Sequence, residues 1–353
     1  MTPIWGETRL TAGARLNLRH NLITDVPGLR VGNAQDARIA TGVTSIVIDT
    51  ANVASGVTRG GAPGTRDTTL LEPEMTITSL DAVLLSGGAV FGLDAAGGAV
   101  SYLRGQGRGL IIGTANVPIA VQAITFDLTN GGDKTWGRVP PYWELGWQAT
   151  EAAAAAPFAL GTVGGGYGAT TATLKGGLGS ASATTASGFT VGAIVVVNAV
   201  GSPVIGDGPH FWAAPYEVGA EFGGLGQPNH VSADALKPRL KGGAPPSTTI
   251  ALVATDAVLT KPQARRLALM ADDGLARAIR PAHAPMDGDT VFAVATLTKP
   301  MRDDTYQLTE IGLAAADCLA RAIARGVYEA TALPFPGALP AWKDRFATGG
   351  AER

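Results

Sequence analysis

Segments with the apolar pattern of a strand alternate along the chain with segments that have the pattern of a helix. This alternation predicts interleaved strands and helices. Short runs rich in Val and Ile, bounded by glycines and turn residues, predict strands at 28–34, 41–49 and 187–201. The segment 81–107 begins as a buried strand, breaks at two consecutive glycines and continues as a helix that ends in Gly. The alanine-rich segment 143–157 has the propensity of a closely packed helix. This interleaving indicates an α/β protein.

The C-terminal third of the chain repeats the alternation as β-α-β-α. Residues 248–254 are mostly apolar without regular alternation, which is typical of a strand buried on both faces. A helix is predicted over 260–279, with Thr260 as its N-cap and Pro262 in its first turn. The other segments predicted nearby are a strand at 289–297, a helix at 306–330 and an irregular, exposed connection at about 203–246.

Length and composition favour one large layered domain spanning residues 1–353. Hydrophobic residues make up 46% and charged residues only 16% of the 353 positions, which argues against disorder. The net charge is −2, from 27 basic and 29 acidic residues without a basic block, so nucleic acid is not an expected partner. The single Cys318 lies in an Ala-rich helical pattern, which predicts a buried and inert thiol.

The sequence gives no indication of a membrane partner or of export. The first twenty residues lack the apolar stretch that a signal peptide requires. No uncharged apolar run is long enough to cross a bilayer. The cytoplasm is therefore the expected location.

Motifs for metal, nucleotide or Ser-His-Asp chemistry are missing from the sequence. No GxSxG motif is present. The Gly-rich segment 161–170 lacks a following GK[ST], and Lys175 stands where an acidic ribose ligand would be wanted, so no cofactor is expected. No metal is expected either, because the histidines are far apart and lack ligand spacing; they are His20, His210, His230 and His283.

Two polar clusters remain, and each precedes an apolar strand. Ser247, Thr248 and Thr249 form a row of hydroxyls, and Asp287 and Asp289 flank a glycine. In an extended backbone, residues two apart face the same side, so both carboxylates can point into one site. Each cluster alone could be a plain turn. However, two strands separated by one helix commonly lie side by side, which would bring both clusters together.

The stretch "STTIALVATDA", the helix after it and "MDGDTVFAVAT" closely resemble the self-processing DmpA-type aminopeptidases, a family that includes the nylon-oligomer (6-aminohexanoate oligomer) hydrolases. Upstream pieces agree in order, among them "ITDVPGLRVG", "RGGAPGTRDTTLL" and "LKGGLGSAS". The resemblance covers roughly 21–325, and its most specific part is the hydroxyl strand followed by the acidic turn. It implies a four-layer α/β/β/α sandwich of the self-cleaving N-terminal-nucleophile type.

The resemblance also implies a cleavage site between Ser247 and Thr248, giving an α fragment of 1–247 and a β fragment of 248–353. Thr248 would become the N-terminal nucleophile, and Asp289, with Asp287 beside it, would assist proton transfer from its hydroxyl. The Pro245-Pro246 pair would stiffen the approach to this bond.

Three further positions follow from the resemblance. Asn198 corresponds to an active-site residue and could donate to the oxyanion. Lys175 corresponds to another and could orient the carboxylates or the nucleophile; the alternative is a solvated surface lysine. Phe126 stands in the substrate pocket where characterised members carry Tyr, so a phenol donor is missing. Ser247 replaces the Asn of the nylon-oligomer hydrolases.

The activity implied is that of an aminopeptidase that removes small N-terminal residues, D- or β-amino acids among them, from a small peptide or amide. Three alternatives stay open: an endo-acting hydrolase of ω-amino-acid oligomers, an acyltransferase of the ornithine acetyltransferase type, and a Gly-rich binding protein that never processes. The family resemblance implies a homotetramer of cleaved heterodimers. The Pro-rich segment 333–342 is expected to be an arm laid on the surface or on a partner subunit.

Overall fold

The computed structural model describes residues 20–242 and 247–346, so the Pro245-Pro246 pair lies outside the described residues. Most of its strands are short and rich in Val, Ile, Ala or Gly. The strands, in chain order, are β1 (Leu29–Asp36), β2 (Thr41–Ile48), β3 (Val53–Thr58), β4 (Thr65–Arg66), β5 (Ala82–Ser86), β6 (Leu110–Ile112), β7 (Ala115–Val117), β8 (Ala120–Ile124), β9 (Gly177–Thr184), β10 (Thr190–Asn198), β11 (Thr248–Ala257) and β12 (Thr290–Lys299).

Five α-helices accompany the strands in the described residues, and several short 3-10 turns connect them. The α-helices are α1 (Ala95–Gly105), α2 (Tyr142–Glu151), α3 (Lys261–Ala278), α4 (Asp304–Tyr328) and α5 (Trp342–Phe346). The long α3 begins where the sequence predicts it. Thr260 is its N-cap, with the side chain accepting from the backbone N–H of Gln263 in a capping box, and Pro262 lies in the first turn.

Two five-stranded sheets form the centre of the fold. Sheet 1 has the order β1-β2-β5-β8-β4, sheet 2 has the order β3-β12-β11-β10-β9, and β6 and β7 form a separate hairpin. The inner faces of the two sheets pack on each other through one apolar core that draws side chains from both. Members of this core include Ile46, Val83, Leu85, Val121, Ile194, Val196, Ile250, Leu252, Phe292 and Val294.

Helices cover the outer face of each sheet. The outward residues of sheet 1 pack on α1 and α2, and those of sheet 2 pack on α3 and α4. The result is a four-layer α/β/β/α sandwich, which confirms the expected fold class. Cys318 of α4 is fully buried in the outer core, and burial raises the pKa of its thiol to about 12, as expected of an inert cysteine.

The alanine-rich segment departs from its prediction, because α2 ends at Glu151 instead of continuing to 157. Ala154 instead pairs with Val31 at the edge of β1, donating its N–H and accepting through its carbonyl, both at 3.1 Å. Pro157 also disfavours helical backbone at the residue before it. Pairing with an open strand edge therefore outweighs the helix propensity of alanine here.

The helices of residues 20–242 and 247–346 do not include one with both the length and the apolar character needed to cross a membrane.

Candidate active site

The ends of three neighbouring strands of sheet 2 meet at one edge. β11 runs antiparallel to β10, with Thr248 opposite Asn198, and parallel to β12 on its other side. The parallel pairing extends ahead of both strands, where Ser247 and Asp287 form an isolated bridge. The hydroxyl cluster and the acidic turn are therefore adjacent, as the sequence predicts.

Backbone hydrogen bonds hold Ser247 to the acidic turn. Its N–H donates to the carbonyl of Met286 at 3.1 Å, and its carbonyl oxygen accepts from the N–H of Gly288 at 2.9 Å. The Thr248 hydroxyl donates to the same Ser247 oxygen. A fixed N–H donor on a carbonyl oxygen is the arrangement that stabilises negative charge on that oxygen when a nucleophile attacks.

The Thr248 side chain is enclosed between the two sheets. By strand alternation it shares a face with Ile250 and Leu252, which belong to the core between the sheets, and the residue is 3% exposed. A Cβ atom at Gly288 would lie 2.9 Å from the Thr248 hydroxyl oxygen and 2.7 Å from the carbonyl oxygen of Ala62. The hydroxyl therefore lies against the residue that separates the two aspartates, and only glycine fits there.

The carboxylate of Asp289 is fully engaged and 2% exposed. One oxygen accepts from the backbone N–H of Thr249 at 2.8 Å. The other accepts from both the backbone N–H of His283, at 2.9 Å, and the ring Nδ1 of His283, at 3.0 Å. The hydrogen bonds of Asp289 thus go to the residue after Thr248 and to a histidine.

The Asp287 carboxylate is as buried as that of Asp289 but accepts fewer hydrogen bonds. Its Oδ1 accepts from the backbone N–H of Val200 at 3.2 Å. Burial, and then the neighbouring charge of Asp289, raise the pKa of the Asp287 carboxyl to about 7. This carboxyl is therefore suited to proton exchange close to neutral pH.

His283 links the acidic turn to α3. Its Nε2 lies 3.3 Å from Oδ2 of Asp272, a residue of α3 that is 3% exposed. Asp272, and then Asp289, raise the pKa of the His283 ring to about 10. Within residues 20–242 and 247–346, no group of three or more His, Cys, Asp or Glu side chains is arranged to hold a metal ion.

Asn198 lies across from Thr248 and is held by three partners. Its Oδ1 accepts from the backbone N–H of Thr170 at 3.0 Å, and its Nδ2 donates to the Phe126 carbonyl at 3.0 Å. The ammonium of Lys241 lies 3.3 Å from both oxygens of Asn198. Burial lowers the pKa of Lys241 to about 7. Lys241 is thus a titratable group, in addition to Asp287, and it lies beside Asn198, the predicted oxyanion donor.

Lys175 is 1% exposed, so the interpretation as a solvated surface lysine is wrong. Its ammonium donates to the backbone carbonyls of Gly166 at 3.0 Å, Ala169 at 2.8 Å and Gly176 at 2.9 Å. An ammonium has three donors, and these three carbonyls use them all. Lys175 therefore braces the Gly-rich turn in this structure, and its ammonium is not hydrogen-bonded to the acidic pair. Burial lowers its pKa to about 7.

A cleft of about 240 Å³ is lined by Phe126, Thr170 and Lys241, the three residues that hydrogen-bond to the Asn198 side chain. The half-buried Phe126 lies in the wall of this cleft, and its assignment to a substrate pocket stays a prediction. Asp127 also lines the cleft, but its carboxylate is engaged by the Thr41 hydroxyl at 2.6 Å and by the N–H of Gly88 at 2.8 Å.

The Pro-rich C-terminal segment forms the opposite wall of this cleft, through residues 336–339. The next residue, Pro340, accepts from the backbone N–H of Lys175 at 2.8 Å. Trp342 is 5% exposed and stacks on Phe211, with 5.7 Å between ring centroids. The segment expected to be an arm is thus packed against the chain's own site.

Three residues of this arrangement are not predicted as site residues from the sequence. His283 stands four positions before Asp287, but the four histidines are far apart in the sequence and their spacing indicates no shared site. Asp272 is a charged residue on the otherwise apolar, buried face of α3. This exception to the apolar pattern is the feature of the sequence that could indicate its role. Lys241 lies in an irregular connection, where the sequence carries no periodic signal.

Comparison with known proteins identifies the family to which the chain belongs. The chain belongs to peptidase family S58, whose sequence model matches residues 21–338. An uncharacterized aminopeptidase of Mycobacterium tuberculosis is 42% identical over 347 residues, which cover 92% of this chain and 98% of the relative. A 6-aminohexanoate-oligomer endohydrolase of Kocuria sp. is 28% identical over 289 residues, covering 79% of this chain and 76% of that enzyme.

A solved structure shows the same fold. The L-aminopeptidase D-Ala-esterase/amidase of Ochrobactrum anthropi, described as a variant of the N-terminal-nucleophile hydrolase fold, aligns with a TM-score of 0.65. The alignment has 22% identity and covers 92% of this chain and 91% of that one. These findings confirm the resemblance drawn from the sequence. The chain is a hydrolase of peptide or amide bonds, and the alternative of a non-enzymatic binding protein is wrong.

The Gly288→Ala variant tests the close packing around the Thr248 hydroxyl. The added methyl group would meet two backbone atoms, the Ala62 oxygen at 2.7 Å and the Pro63 Cα at 2.9 Å, so the acidic turn must shift. We expect a loss of about 1–3 kcal/mol in the free energy of unfolding, measured by urea denaturation. Gly105→Ala is the matched control, because a Cβ there meets nothing within 4 Å. Equal stability of the two variants would contradict the packing.

Proposed function

We propose that the chain cuts itself between Ser247 and Thr248 and that Thr248 then serves as the N-terminal nucleophile of an aminopeptidase. The observation that carries the proposal is the shared oxygen of Ser247, which accepts from both the Thr248 hydroxyl and the Gly288 N–H. An attacking group and an oxyanion donor thus converge on one peptide bond. The buried acidic pair beside that bond supplies a site for the transferred proton.

The cut proceeds as an acyl shift followed by hydrolysis. The Thr248 hydroxyl oxygen adds to the Ser247 carbonyl carbon, and its proton passes to a base. The negative charge that develops on the Ser247 oxygen is stabilised by the Gly288 N–H, a kind of contact that contributes roughly 3 kcal/mol per donor. The bond to the Thr248 nitrogen then breaks, and that nitrogen leaves as an amine with a proton. Water opens the resulting ester to give a Ser247 carboxylate and a free Thr248.

Asp287 is the carboxyl best suited to move these protons. The oxygens of Asp289 are committed to Thr249 and His283, whereas Asp287 exchanges its proton near neutral pH. This reverses the order given by the sequence, in which Asp289 was the base and Asp287 its neighbour. The pair acts as one coupled system, so its pH dependence belongs to both residues.

After the cut, the same hydroxyl attacks the substrate amide. The freed amine of Thr248 lies on the same residue and can take the hydroxyl proton, as in other N-terminal threonine enzymes. Asn198 uses one of its two amide N–H groups on Phe126, and the other is proposed to donate to the substrate oxyanion. The cleft of about 240 Å³ shares Phe126 and Lys241 with the surroundings of Asn198, and we propose that it holds a small N-terminal residue of the substrate. D- and β-amino acids are part of this proposal through the family resemblance.

Replacement of Thr248 tests the nucleophile. We expect Thr248→Ala to abolish both the cut and amide hydrolysis, and Thr248→Ser to retain both, because Ser keeps the attacking oxygen. Intact-mass measurement should show fragments 1–247 and 248–353 in the parent protein and one uncut chain in Thr248→Ala.

Thr249→Ala is the matched control for this test. The Thr249 hydroxyl is buried and has no hydrogen-bond partner among the residues that the structure describes, so its loss should leave the cut at the same bond. A parent chain that stays whole after long incubation, or a cut in Thr248→Ala, would overturn the assignment.

The rate of the cut should depend on pH through the acidic pair. If Asp287 must be ionised to accept the hydroxyl proton, its pKa of about 7 makes the rate fall roughly tenfold for each pH unit below neutrality. The measurement follows fragment 248–353 appearing from chain made by cell-free synthesis and transferred to buffers of different pH. A rate that is constant between pH 5 and pH 7 would exclude this role.

An endo-acting hydrolase is the second candidate, because the relative from Kocuria sp. carries that name. The products separate the two activities. We expect short peptides and ω-amino-acid oligomers to release single residues from the end with the free amine, and N-acetylation of the substrate to stop the release. Internal fragments from an N-acetylated oligomer would instead establish endo cleavage.

A further inference from the structure

Two aspartates and the histidine between them form a continuous row of contacts next to the proposed nucleophile. Asp272 of α3 contacts His283 Nε2 at 3.3 Å, and His283 Nδ1 contacts Asp289 Oδ2 at 3.0 Å. The other oxygen of Asp289 accepts from the N–H of Thr249, the residue next to Thr248. The row therefore connects the helix on the outer face of sheet 2 with the start of β11.

The backbone of His283 contributes to the same contact. This residue has a φ of 57°, in the left-handed region that few residues other than glycine adopt. In this conformation its own N–H, at 2.9 Å, and its ring nitrogen, at 3.0 Å, reach one and the same oxygen of Asp289. Two donors from a single residue fix both the position and the direction of that carboxylate.

The charges that face His283 come from both sides of its ring. Asp272 approaches from α3, and Asp289 approaches from the acidic turn. Arg59, after β3, reaches Asp272 at 3.7 Å from the solvent side. The neighbouring cations point elsewhere, since Arg277 pairs with Asp317 at 2.5 Å and Arg280 stacks on the Trp212 ring.

The ring is thus placed between two carboxylates, both nearly inaccessible to solvent. With its pKa raised to about 10 by Asp272 and Asp289, His283 is an imidazolium throughout the neutral range. A buried carboxylate beside a fixed cation stays ionised, whereas a buried carboxylate beside another carboxylate takes up a proton.

We propose that His283 is a positioning residue that holds the Asp289 carboxylate from one side of the acidic pair and so directs the exchangeable proton of the pair to Asp287. The inference rests on the proposed function of the pair. Two equivalent buried carboxylates would share one proton between them, and the proton would be found on either. His283 removes this symmetry because it contacts Asp289 and not Asp287. Asp272 in turn holds the His283 ring in place.

Ring NMR measures the charge of His283 without any activity. The sample is the uncut Thr248→Ala protein with labelled histidine. We expect the His283 ring to stay protonated above pH 8, and the added Asp272→Asn substitution to lower its titration midpoint by about one unit or more, since an opposite charge has been removed. A midpoint near that of a free histidine, about 6.5, would overturn the proposal.

The pH profile tests whether this charge matters for the reaction. His283→Gln keeps a side-chain N–H donor but loses the positive charge, so the proton affinity of the acidic pair should rise. We expect the acidic limb of the cut to move upward by about one pH unit or more, with the rate at high pH retained to within about tenfold. If His283 had only a structural role, its replacement would lower the rate at every pH and leave the pH of the acidic limb unchanged.

His230→Gln is the matched control, because His230 is exposed on the surface and the chemical change is the same. Its profile should coincide with that of the parent protein. If the parent cuts itself and hydrolyses amides while His283→Gln keeps the parental limb, the inference fails and the proposed function stands. If the parent neither cuts nor hydrolyses, the proposed function fails, and the inference fails with it even where the ring is charged.

Discussion

The parallel pairing of β11 with β12 is the constraint on which the site depends. Parallel strands start at the same edge of a sheet, so the residues that precede both strands meet there. In an antiparallel pair, the start of one strand lies beside the end of the other. The antiparallel strand β10 therefore places its last residue, Asn198, beside the start of β11. The connection between the two parallel strands is α3, and it supplies Asp272. One β-α-β unit thus contributes the hydroxyl, both carboxylates of the acidic turn, the histidine and its anchor.

Charge is buried in this site to an unusual extent, and each burial has a local compensation. Lys175, Asp272, Asp287 and Asp289 are each 3% exposed or less. Burying an ionised group is unfavourable unless hydrogen bonds or an opposite charge replace water. Backbone carbonyls do this for the lysine, and His283 does it for two of the acids. Asp287 has the weakest compensation, and its proton affinity rises accordingly, which is how enzymes tune acid and base groups.

The apolar runs predict the interleaved strands and helices, among them the strand that carries Thr248, whereas the four-layer arrangement follows from the family resemblance. The sequence patterns do not predict β9, because it is built of small residues with low strand propensity. Close packing on α4 requires them: a Cβ at Gly179 would lie 1.8 Å from the Ala322 oxygen. The hydroxyl cluster and the acidic turn could be paired by strand adjacency. Lys241 could not be found in this way, because its approach to Asn198 is a long-range contact made by an irregular connection.

The walls of the cleft come from both sides of the bond that is proposed to break. Phe126 and Lys241 precede that bond along the chain, and residues 336–339 follow it. After scission the two polypeptides would be joined beside the cleft by noncovalent contacts alone, such as the hydrogen bond from the Lys175 N–H to the Pro340 carbonyl. All ten residues of β11 are buried in the middle of sheet 2, so this new amino terminus cannot drift from its neighbours. The cleft would then lie at the interface between two separate polypeptides that were synthesised as one chain.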